Sequence, residues 1–436
     1  MKVAIIIPRQ LEHESIYSMQ KTIPLGAAYV GTVLQQQGFD VEILDEFIKK
    51  FDPKQVAADA VLISYMTNSA NRAYELADYF RSAGKKVILG GPHASLMPKE
   101  ASAHADHVVI GEGEKVIQDL LTGKIKDKIV SAEKICDLDS LPFPNYDLIR
   151  GIGHPPPITM ISTSRGCPFD CKFCSVVAIH GRNYRFRSPA NVLDEIKMRS
   201  PIKTHLFFSD DNFIANKERA KSILRGMIEN DTIPKSWGTQ VRVEVARDPE
   251  LLELMSKTNC NLLYIGFESI NSETLKEYNK SQNVDDVKNC VKTLKNYGID
   301  VFGMFVVGSD HDTKETVRQT ANFALESQMR MSMITPYTPL PGTRLYHEMD
   351  AEGRILTKDW KYYDLQHVVH KPKLMTPYEL QTELFSAMRT MYSGKKVMNS
   401  LLKDPLWSVA SAYLAYKTRS WERNKKEYLE FLKQFN

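Results

Sequence analysis

Short apolar runs alternate with helical patterns of about a dozen residues along the first 120 positions of the chain. Strands are predicted at Lys2–Ile7, Asp40–Leu44, Ala60–Ser64, Lys86–Leu89 and His107–Ile110, and helices at Pro24–Gln37 and Ala70–Ala83. Buried strands joined by helices are typical of a doubly wound parallel sheet, because each crossover helix covers one face of the sheet. We therefore expect an N-terminal Rossmann-like α/β domain over residues 1–130.

The alternation resumes after a proline-rich stretch, residues 131–157, that is expected to link two domains. Six further strands are predicted at Ile158–Ser162, His205–Ser209, Thr239–Val243, Leu262–Phe267, Val301–Val307 and Met331–Thr335. Helical patterns between them include Ala190–Arg199, Pro249–Lys257, Val284–Asn296 and Lys314–Ser327. Six such units predict a partial (βα)6 barrel of the TIM type over residues 158–345, with its functional groups at the carboxyl ends of the strands.

Residues 346–436 are expected to form a mainly helical region that caps the substrate side. Residues 395–436 contain nine Lys or Arg and four Asp or Glu, together with Trp407 and Trp421. A basic amphipathic helix can lie on a membrane surface. The alternative, a solvated helix that packs its aromatic side chains on the barrel, stays open at this point.

Composition excludes several classes of protein. The chain is 43% hydrophobic and 25% charged, which is typical of globular domains, and its net charge of +4 does not indicate a nucleic-acid partner. No apolar run is long enough for a transmembrane helix, and the N-terminus lacks the cleavage site of a signal peptide. Six cysteines do not form a disulfide framework, so a reducing, cytoplasmic location is expected.

Glycine-rich or polar turns follow three strands of the N-terminal sheet. They are Ser64-Tyr65-Met66-Thr67-Asn68, Gly90-Gly91-Pro92-His93 and Gly111-Glu112-Gly113-Glu114. Open α/β sheets bind ligands beyond the carboxyl ends of their strands, where glycine lets the backbone approach the ligand. Three such turns at one edge predict a site for a broad ligand.

A second cluster of chemically active residues follows the first barrel strand. Cys167, Cys171 and Cys174 lie within eight positions, and Phe173 precedes the third cysteine. Three thiolates in one short loop can each bind one iron of a [4Fe–4S] cube and leave the fourth iron open to chelation by the amino and carboxylate groups of S-adenosylmethionine. A zinc site is the alternative, with His180 as the fourth ligand.

These motifs together resemble the cobalamin-dependent radical S-adenosylmethionine (radical SAM) family, with a B12-binding domain before the radical SAM domain. The resemblance rests on the cysteine motif, the order of the domains and five further segments: Gly90-Gly91-Pro92-His93-Ala94-Ser95, Gly111-Glu112-Gly113-Glu114, Leu141-Pro142-Phe143-Pro144, Gly266-Phe267-Glu268-Ser269 and Pro339-Leu340-Pro341-Gly342-Thr343. It implies an iron–sulfur cluster on Cys167, Cys171 and Cys174, with S-adenosylmethionine and cobalamin as the other cofactors.

The resemblance also implies contacts to S-adenosylmethionine at the barrel mouth. Asp210, Asp211 and Asn212 fall where the family contacts the methionine amino group, and Gln240, Arg242 and Glu268 are candidates for the carboxylate and the ribose. Arginine suits a carboxylate because it can donate two parallel hydrogen bonds. For each residue the alternative is an ion pair within the barrel mouth. Tyr337 could face the substrate or donate a proton, or it could simply pack.

For cobalamin, the resemblance implies contacts from Ser64, Met66, Thr67, Asn68, Gly90, Gly91, His93, Gly111, Glu112 and Gly113. The Asp-x-His-x-x-Gly motif that ligates cobalt in many B12 domains is absent, since the matching stretch is Asp45-Glu46-Phe47-Ile48-Lys49-Lys50. Base-off cobalamin is therefore expected, with Met66 and Thr67 near its lower face. His93 is expected to contact the corrin or cap a helix.

The implied activity is methylation of an unactivated substrate carbon through methylcobalamin and a 5′-deoxyadenosyl radical, under anaerobic conditions. Two alternatives remain: a cyclase or oxidoreductase of the same architecture without methyl transfer, and a cobalamin-binding sensor with a vestigial cluster. The implied partners are a small-molecule, lipid or protein substrate and a low-potential electron donor such as flavodoxin or ferredoxin. No nucleic acid is expected.

Overall fold

The computed structural model describes residues 1–10, 22–280, 282–327, 329–394 and 405–435. The N-terminal sheet has six parallel strands: β1 Lys2–Ile7, β2 Asp40–Asp45, β3 Ala60–Ser64, β4 Lys86–Gly90, β5 His107–Ile110 and β6 Ile129–Ser131. Their spatial order is β2-β1-β3-β4-β5-β6, so the winding direction reverses between β1 and β3. Ligands of open α/β sheets bind beside such a reversal.

Helices cover both faces of this sheet. They are α1 Leu25–Gln36, α2 Ala70–Ser82, α3 Gly91–Leu96, α4 Pro98–Ala101 and α5 Ile117–Leu121. Four consecutive β1 side chains, residues 3–6, are at most 2% exposed, as expected for a parallel strand packed on both faces. The strand β6 was not predicted, because it has only three residues, too few to show a strand pattern, and their side chains are exposed or half-buried. It spans the expected domain boundary at residue 130.

The second sheet confirms the predicted repeat of parallel strands. It contains β7 Ile158–Ile161, β10 His205–Phe208, β11 Ser236–Val241, β12 Cys260–Glu268, β13 Asp300–Val307 and β14 Met331–Pro336, in that spatial order. The short strands β8 Ser164–Arg165 and β9 Arg185–Phe186 pair antiparallel beside the mouth. The helices are α6 Ser175–His180, α7 Pro189–Met198, α8 Lys217–Glu229, α9 Pro249–Lys257, α10 Ser272–Glu277, α11 Val284–Asn296 and α12 Lys314–Glu326.

Among the described residues of the C-terminal region, the helices are α13 Arg344–Ala351, α14 Pro377–Met391, α15 Pro405–Arg423 and α16 Lys426–Lys433. The side chains of Leu384, Leu414 and Trp421 join the hydrophobic core of the barrel. No helix among the described residues is long and apolar enough to cross a membrane. Residues 395–404, part of the basic tail noted in the sequence, lie outside the described residues.

A segment between α13 and α14 returns to the N-terminal domain, and we call residues 357–363 the return segment. Its Trp360 indole donates a hydrogen bond to Glu100 Oε1 at 2.7 Å, and its Asp359 accepts one from Asn71 at 2.8 Å. Trp360 and Tyr363 are at most 4% exposed and belong to the core of the N-terminal domain. The C-terminal region therefore fastens the two domains together.

Replacement of Trp360 by phenylalanine keeps an aromatic ring but removes the hydrogen bond to Glu100. We expect the Trp360→Phe variant to lose about 1.5–3 kcal/mol of unfolding free energy, the usual contribution of a hydrogen bond to a charged group. Chemical denaturation measures the change, with Tyr79→Phe, on the exposed side of α2, as the control. A Trp360→Phe variant as stable as the control would show that this contact does not hold the return segment.

Candidate active site between the two sheets

A cavity of about 330 Å³ lies where the carboxyl ends of the two sheets face each other. From the N-terminal domain, the predicted residues Ser64, Gly90, Gly91, Gly111, Glu112 and Gly113 all line it. The barrel contributes residues at the ends of β7 and β10: Ser162, Ser164, Arg165, Ser209 and Asp211. The structure thus brings the glycine turns and the barrel mouth to one site.

The turn after β4 needs a glycine at position 91. Gly91 has a φ of +87°, and a Cβ there would lie 2.7 Å from Ser64 Oγ and 2.9 Å from the Tyr65 backbone nitrogen. Any side chain would therefore be strained and would also displace the β3 turn. Gly91 keeps two neighbouring turns close together at the cavity wall.

The cavity also has an apolar arm that the sequence analysis did not identify. This arm runs between α1 and the sheet and is lined by Leu25, Gly26, Ala27, Tyr29, Val30, Ile5, Leu62, Ile88, Val109 and Ile117. A Cβ at Gly26 would meet no atom within 4 Å, so the space beside it is open. The sequence signal was the run of small residues 26–28 at the start of α1, next to apolar strands.

Four residues predicted to contact cobalamin do not line the cavity: Met66, Thr67, Asn68 and His93. The His93 side chain is 0% exposed and packs against Tyr65 and Trp360. Its Nδ1 lies 3.2 Å from Thr67 Oγ1, so the imidazole supports the β3 turn from behind. Met66 is 58% exposed at the tip of that turn.

The cysteine loop follows β8, whose residues Ser164 and Arg165 line the cavity, and Cys167 comes two residues after Arg165. Cys167, Cys171 and Cys174 are free and partly buried, and the Cys174 amide donates to the Cys171 carbonyl at 3.1 Å. Burial raises the pKa of each thiol, to about 12 for Cys174. Gly166, just before the loop, has a φ of +88°, and a Cβ there would lie 2.7 Å from the Asn183 carbonyl oxygen.

The donor set fits an iron–sulfur cube better than zinc. Among the residues that the structure describes, no group of three His, Cys, Asp or Glu side chains is placed to hold one metal ion. A cube holds its three thiolates on three separate irons, whereas zinc gathers all its ligands around one ion. His180, the fourth ligand of the zinc alternative, instead has its Nδ1 3.8 Å from Glu112 Oε1.

The Glu112 carboxylate is already paired with groups of the linker and the barrel domain, so it is not free to bind a ligand. Its carboxylate accepts hydrogen bonds from Arg185 Nη1 at 2.9 Å and from the Ile135 amide at 2.9 Å, and Arg165 Nη1 lies 3.5 Å away. Arg165 also pairs with Glu114 at 2.7 Å. We call Glu112, Glu114, Arg165 and Arg185 the interdomain charge cluster. Burial raises the pKa of Glu112, but the hydrogen bond from Arg185 and the charge of Arg165 lower it more, so the pKa lies well below its usual value.

Of the three predicted contacts Asp210, Asp211 and Asn212, only Asp211 lines the cavity. Loss of hydration in the concave wall raises the pKa of the Asp211 carboxyl to about 6. Asp210 is 1% exposed and accepts hydrogen bonds from the Thr163 amide at 2.7 Å, the Thr163 hydroxyl at 2.5 Å and the Ser164 amide at 3.2 Å. Asn212 is 2% exposed. In this structure Asp210 therefore fixes the segment that leads into the cysteine loop.

The other predicted S-adenosylmethionine contacts lie at the ends of β11 and β12. The Arg242 guanidinium stacks 3.8 Å above the Phe169 ring of the cysteine loop and pairs with Glu244 at 3.2 Å. Glu268 has a φ of +61° and pairs with Lys280 at 2.9 Å. Gln240 is partly buried at the end of β11. In this structure Arg242 and Glu268 therefore form ion pairs within the barrel mouth, the arrangement that the sequence analysis gave as the alternative to contacts with S-adenosylmethionine.

Tyr337 lies in a closed aromatic cluster behind the cysteine loop. Its ring is 0% exposed, with centroids of Tyr278 and Phe173 at 4.7 and 6.1 Å and of His370 at 6.3 Å. In this structure Tyr337 therefore packs in the protein interior, which the sequence analysis gave as the alternative to facing the substrate. Phe173 joins the same cluster, so it connects the loop to the hydrophobic interior.

Comparison with known families agrees with this architecture. A model of the B12 binding domain matches residues 17–121, and a model of the radical SAM superfamily matches residues 161–324. An uncharacterised methyltransferase of Pyrococcus horikoshii is 30% identical over 87% of this chain and 89% of its own length. The chain belongs to the radical SAM superfamily, in the branch with a B12-binding domain. Membership confirms the cofactor set predicted for the family: a [4Fe–4S] cluster, S-adenosylmethionine and cobalamin.

Other relatives have named activities. Bacteriochlorophyllide d C-12(1)-methyltransferase of Chlorobaculum tepidum is 28% identical over 93% of this chain and 90% of its own length. Anaerobic magnesium-protoporphyrin IX monomethyl ester cyclase of Cereibacter sphaeroides is 30% identical over 72% of this chain and 56% of its own length. The radical SAM branch around this chain therefore includes both methyltransferases and a cyclase.

Solved structures share the fold. The radical S-adenosylmethionine methyltransferase TsrM from Kitasatospora setae, with cobalamin and a [4Fe–4S] cluster bound, has a TM-score of 0.68 at 16% identity, over 96% of this chain and 99% of its own. The cobalamin-dependent enzyme OxsB, with aqua-cobalamin and S-adenosylmethionine bound, has a TM-score of 0.71 at 15% identity, over 96% of this chain and 71% of its own.

The interdomain charge cluster makes stability depend on pH in a defined direction. A carboxylate whose pKa is lowered by folding stabilises the fold above its unfolded pKa, about 4.5, and loses that contribution as the pH falls toward the folded value. We expect Glu112→Gln to lose about 3 kcal/mol of unfolding free energy at pH 7, because the largely buried Arg185 loses its carboxylate partner and Arg165 keeps only Glu114. The difference in unfolding free energy between this variant and the natural chain should become smaller below pH 4.5.

Denaturation at a series of pH values tests this expectation, with Glu133→Gln as the control at an exposed carboxylate. If the unfolding free energy of Glu112→Gln stayed below that of the natural chain by the same amount down to acidic pH, the assignment of a lowered pKa to Glu112 would be contradicted.

Proposed function

We propose that this chain is a cobalamin-dependent radical SAM methyltransferase that methylates an unactivated carbon. The observation that carries the proposal is the position of the cysteine loop. Ser164 and Arg165 before the loop and Ile179 and His180 after it line the same cavity as the glycine turns of the B12-binding domain. A cluster, a corrin and a substrate could therefore meet in one site between the two domains, where their mutual orientation favours reaction.

In this proposal Cys167, Cys171 and Cys174 bind the cluster. Together the bound groups supply one-electron chemistry at carbon and a transferable methyl group. Asp211, Gln240 and Glu268 are the proposed polar contacts for S-adenosylmethionine. Arg242 positions the loop by stacking on Phe169, and Asp210 positions it through Thr163 and Ser164. Asn212 and Phe173 complete the packing around the loop.

The glycine turns would hold the corrin, and the apolar arm beside α1 would take the displaced base of base-off cobalamin. The open space beside Gly26 and the apolar lining support this fit. The stretch Asp45–Lys50 contains no histidine, so it offers no imidazole for cobalt. Met66 and Thr67 remain the proposed residues near the lower face, supported from behind by His93.

Relatives named for methyl transfer favour this activity over cyclisation. The bacteriochlorophyllide d methyltransferase aligns over 90% of its own length, whereas the Cereibacter sphaeroides cyclase aligns over 56%. Another relative is the hopanoid C-3 methylase of Methylococcus capsulatus, 25% identical over the whole of this chain and 87% of its own length. A large, mainly apolar polycyclic substrate is therefore proposed. A cyclase or redox enzyme is the second candidate, since its relative reaches 30% identity. The three intact cysteines oppose a sensor with a vestigial cluster.

Product analysis separates methyl transfer from cyclisation. The chain is reconstituted anaerobically with iron, sulfide and cobalamin, and then given S-adenosylmethionine, a low-potential reductant and a panel of bacteriochlorophyllides and hopanoids. A methyltransferase forms S-adenosylhomocysteine together with 5′-deoxyadenosine and a product heavier by one methylene. Deoxyadenosine without S-adenosylhomocysteine would overturn methyl transfer in favour of the second candidate.

Cysteine variants test the cluster assignment. Cys171→Ala should retain its fold but lose bound iron, and its deoxyadenosine formation should fall to the level of a protein-free control, because a cube bound by two thiolates is not held in place. Cys136→Ser is the matched control, since Cys136 is an exposed thiol outside the loop. Equal loss of iron in both variants would contradict the assignment.

Filling the apolar arm tests the cobalamin assignment without touching the cluster. Gly26→Phe should weaken cobalamin binding about 10- to 100-fold, a loss of about 1.4–2.8 kcal/mol of binding free energy, because the ring would occupy the open space that the displaced base needs. Equilibrium dialysis measures binding, and the control is Gln36→Phe, at an exposed position of the same helix. If Gly26→Phe bound cobalamin with unchanged affinity, the displaced base would not lie in the apolar arm.

A further inference from the structure

The helix α15 has two contrasting faces. Its inner face carries Ser411, Leu414, Thr418 and Trp421, which are 1–7% exposed. Trp421 packs against Phe385 at 5.2 Å and His367 at 5.1 Å between ring centroids. This face is bound to the barrel, so the orientation of the helix on the protein is fixed by ordinary core packing.

The outer face exposes apolar side chains at helical spacing. Val409 is 70%, Tyr413 42% and Tyr416 61% exposed, and Val409 and Tyr416 are the two most exposed large apolar side chains among the described residues. Positions separated by four and three residues lie on one side of a helix. The three side chains therefore form a stripe rather than scattered single exposures.

Basic residues continue this stripe toward the end of the helix. Arg419 and Arg423 are exposed, and they follow Tyr416 at spacings of three and seven residues, so they share its side of the helix. Neither arginine forms an ion pair within the described part of the chain. The only acidic residue between them in sequence, Glu422, is paired with Arg389 at 2.5 Å.

We infer that the outer face of α15, formed by Val409, Tyr413, Tyr416, Arg419 and Arg423, docks on the surface of an anionic membrane. A stripe of apolar and tyrosine side chains next to arginines is typical of helices that lie in the lipid interface, where tyrosine places its ring at headgroup level. Residues 395–436 have five more basic than acidic residues, nine against four, which adds attraction to anionic headgroups.

Charge also favours lipid over a second copy of the chain. In a two-fold symmetric dimer the same patch would face itself, so Arg419 and Arg423 would approach their own counterparts. Like charges brought together across an interface oppose association. An anionic lipid surface instead neutralises both arginines while it accepts the apolar stripe. The inference does not depend on methyl transfer.

Flotation of the full chain with vesicles tests the inference. We expect the protein to float with vesicles of phosphatidylcholine mixed with phosphatidylglycerol, to remain unbound with pure phosphatidylcholine, and to dissociate at high salt. The variant Arg419→Gln/Arg423→Gln should bind the anionic vesicles about 30-fold more weakly, since each basic residue near the surface contributes roughly a factor of five.

Removal of the apolar stripe should have a larger effect. Val409→Ser/Tyr413→Ser/Tyr416→Ser is expected to lower vesicle binding about 100-fold or more, because several apolar side chains no longer enter the interface. The matched control is Met198→Ser/Leu374→Ser, which removes two side chains that are each 56% exposed elsewhere on the surface. Circular dichroism and thermal melts establish that all variants are folded.

Three outcomes would overturn the inference. The first is that the natural chain does not float with anionic vesicles. The second is that the stripe variant floats as well as the natural chain or the control. The third is that the natural chain is a dimer by light scattering, becomes a monomer in the stripe variant and does not float, which would assign this face to self-association.

Discussion

The interdomain charge cluster is the constraint on which the site depends. Glu112 follows a strand of the first sheet, and Arg165 and Arg185 belong to the short strands beside the barrel mouth. Their pairing holds the carboxyl ends of both sheets face to face around the cavity. The buried Glu112 carboxylate would be costly without these arginines, and the partly buried Arg185 would lose its partner without Glu112, so the pairing favours this arrangement of the two domains.

The pairing of the domains also explains why the cavity has both polar and apolar parts. The mouth is formed by glycine turns and charged side chains, whereas the arm beside α1 is lined by the same apolar side chains that make the sheet core. A cofactor with a polar rim and an aromatic base could use both parts. The cysteine loop enters from the barrel side, fixed through Asp210 behind it and Arg242 beside it.

Much of the fold could be predicted from sequence, because parallel strands and crossover helices leave strong local patterns. The strands Lys2–Ile7, Ala60–Ser64 and His107–Ile110 were predicted with their observed bounds. The glycine turns were also predicted to meet at one edge, since parallel topology brings strand ends together. Contacts between distant side chains were not predictable: neither the pairing of Glu112 with Arg185 nor the burial of His93 against Trp360 has any local signal. The apolar arm was not predicted. The sequence shows that residues 26–28 are small, but it does not show whether another helix or strand fills the space beside them.

The return segment has a consequence for how the chain acquires its structure during synthesis. The core of the N-terminal domain includes Tyr346, Trp360, Tyr363 and Val369, all from beyond the barrel. At roughly 5–20 residues per second, the ribosome needs about 10–50 s to make the stretch from residue 131 to residue 369. Throughout that interval the first domain lacks part of its interior and presents an apolar surface to the cell. Its late completion makes the nascent chain a natural client for chaperones, even though its sheet is the first element to emerge.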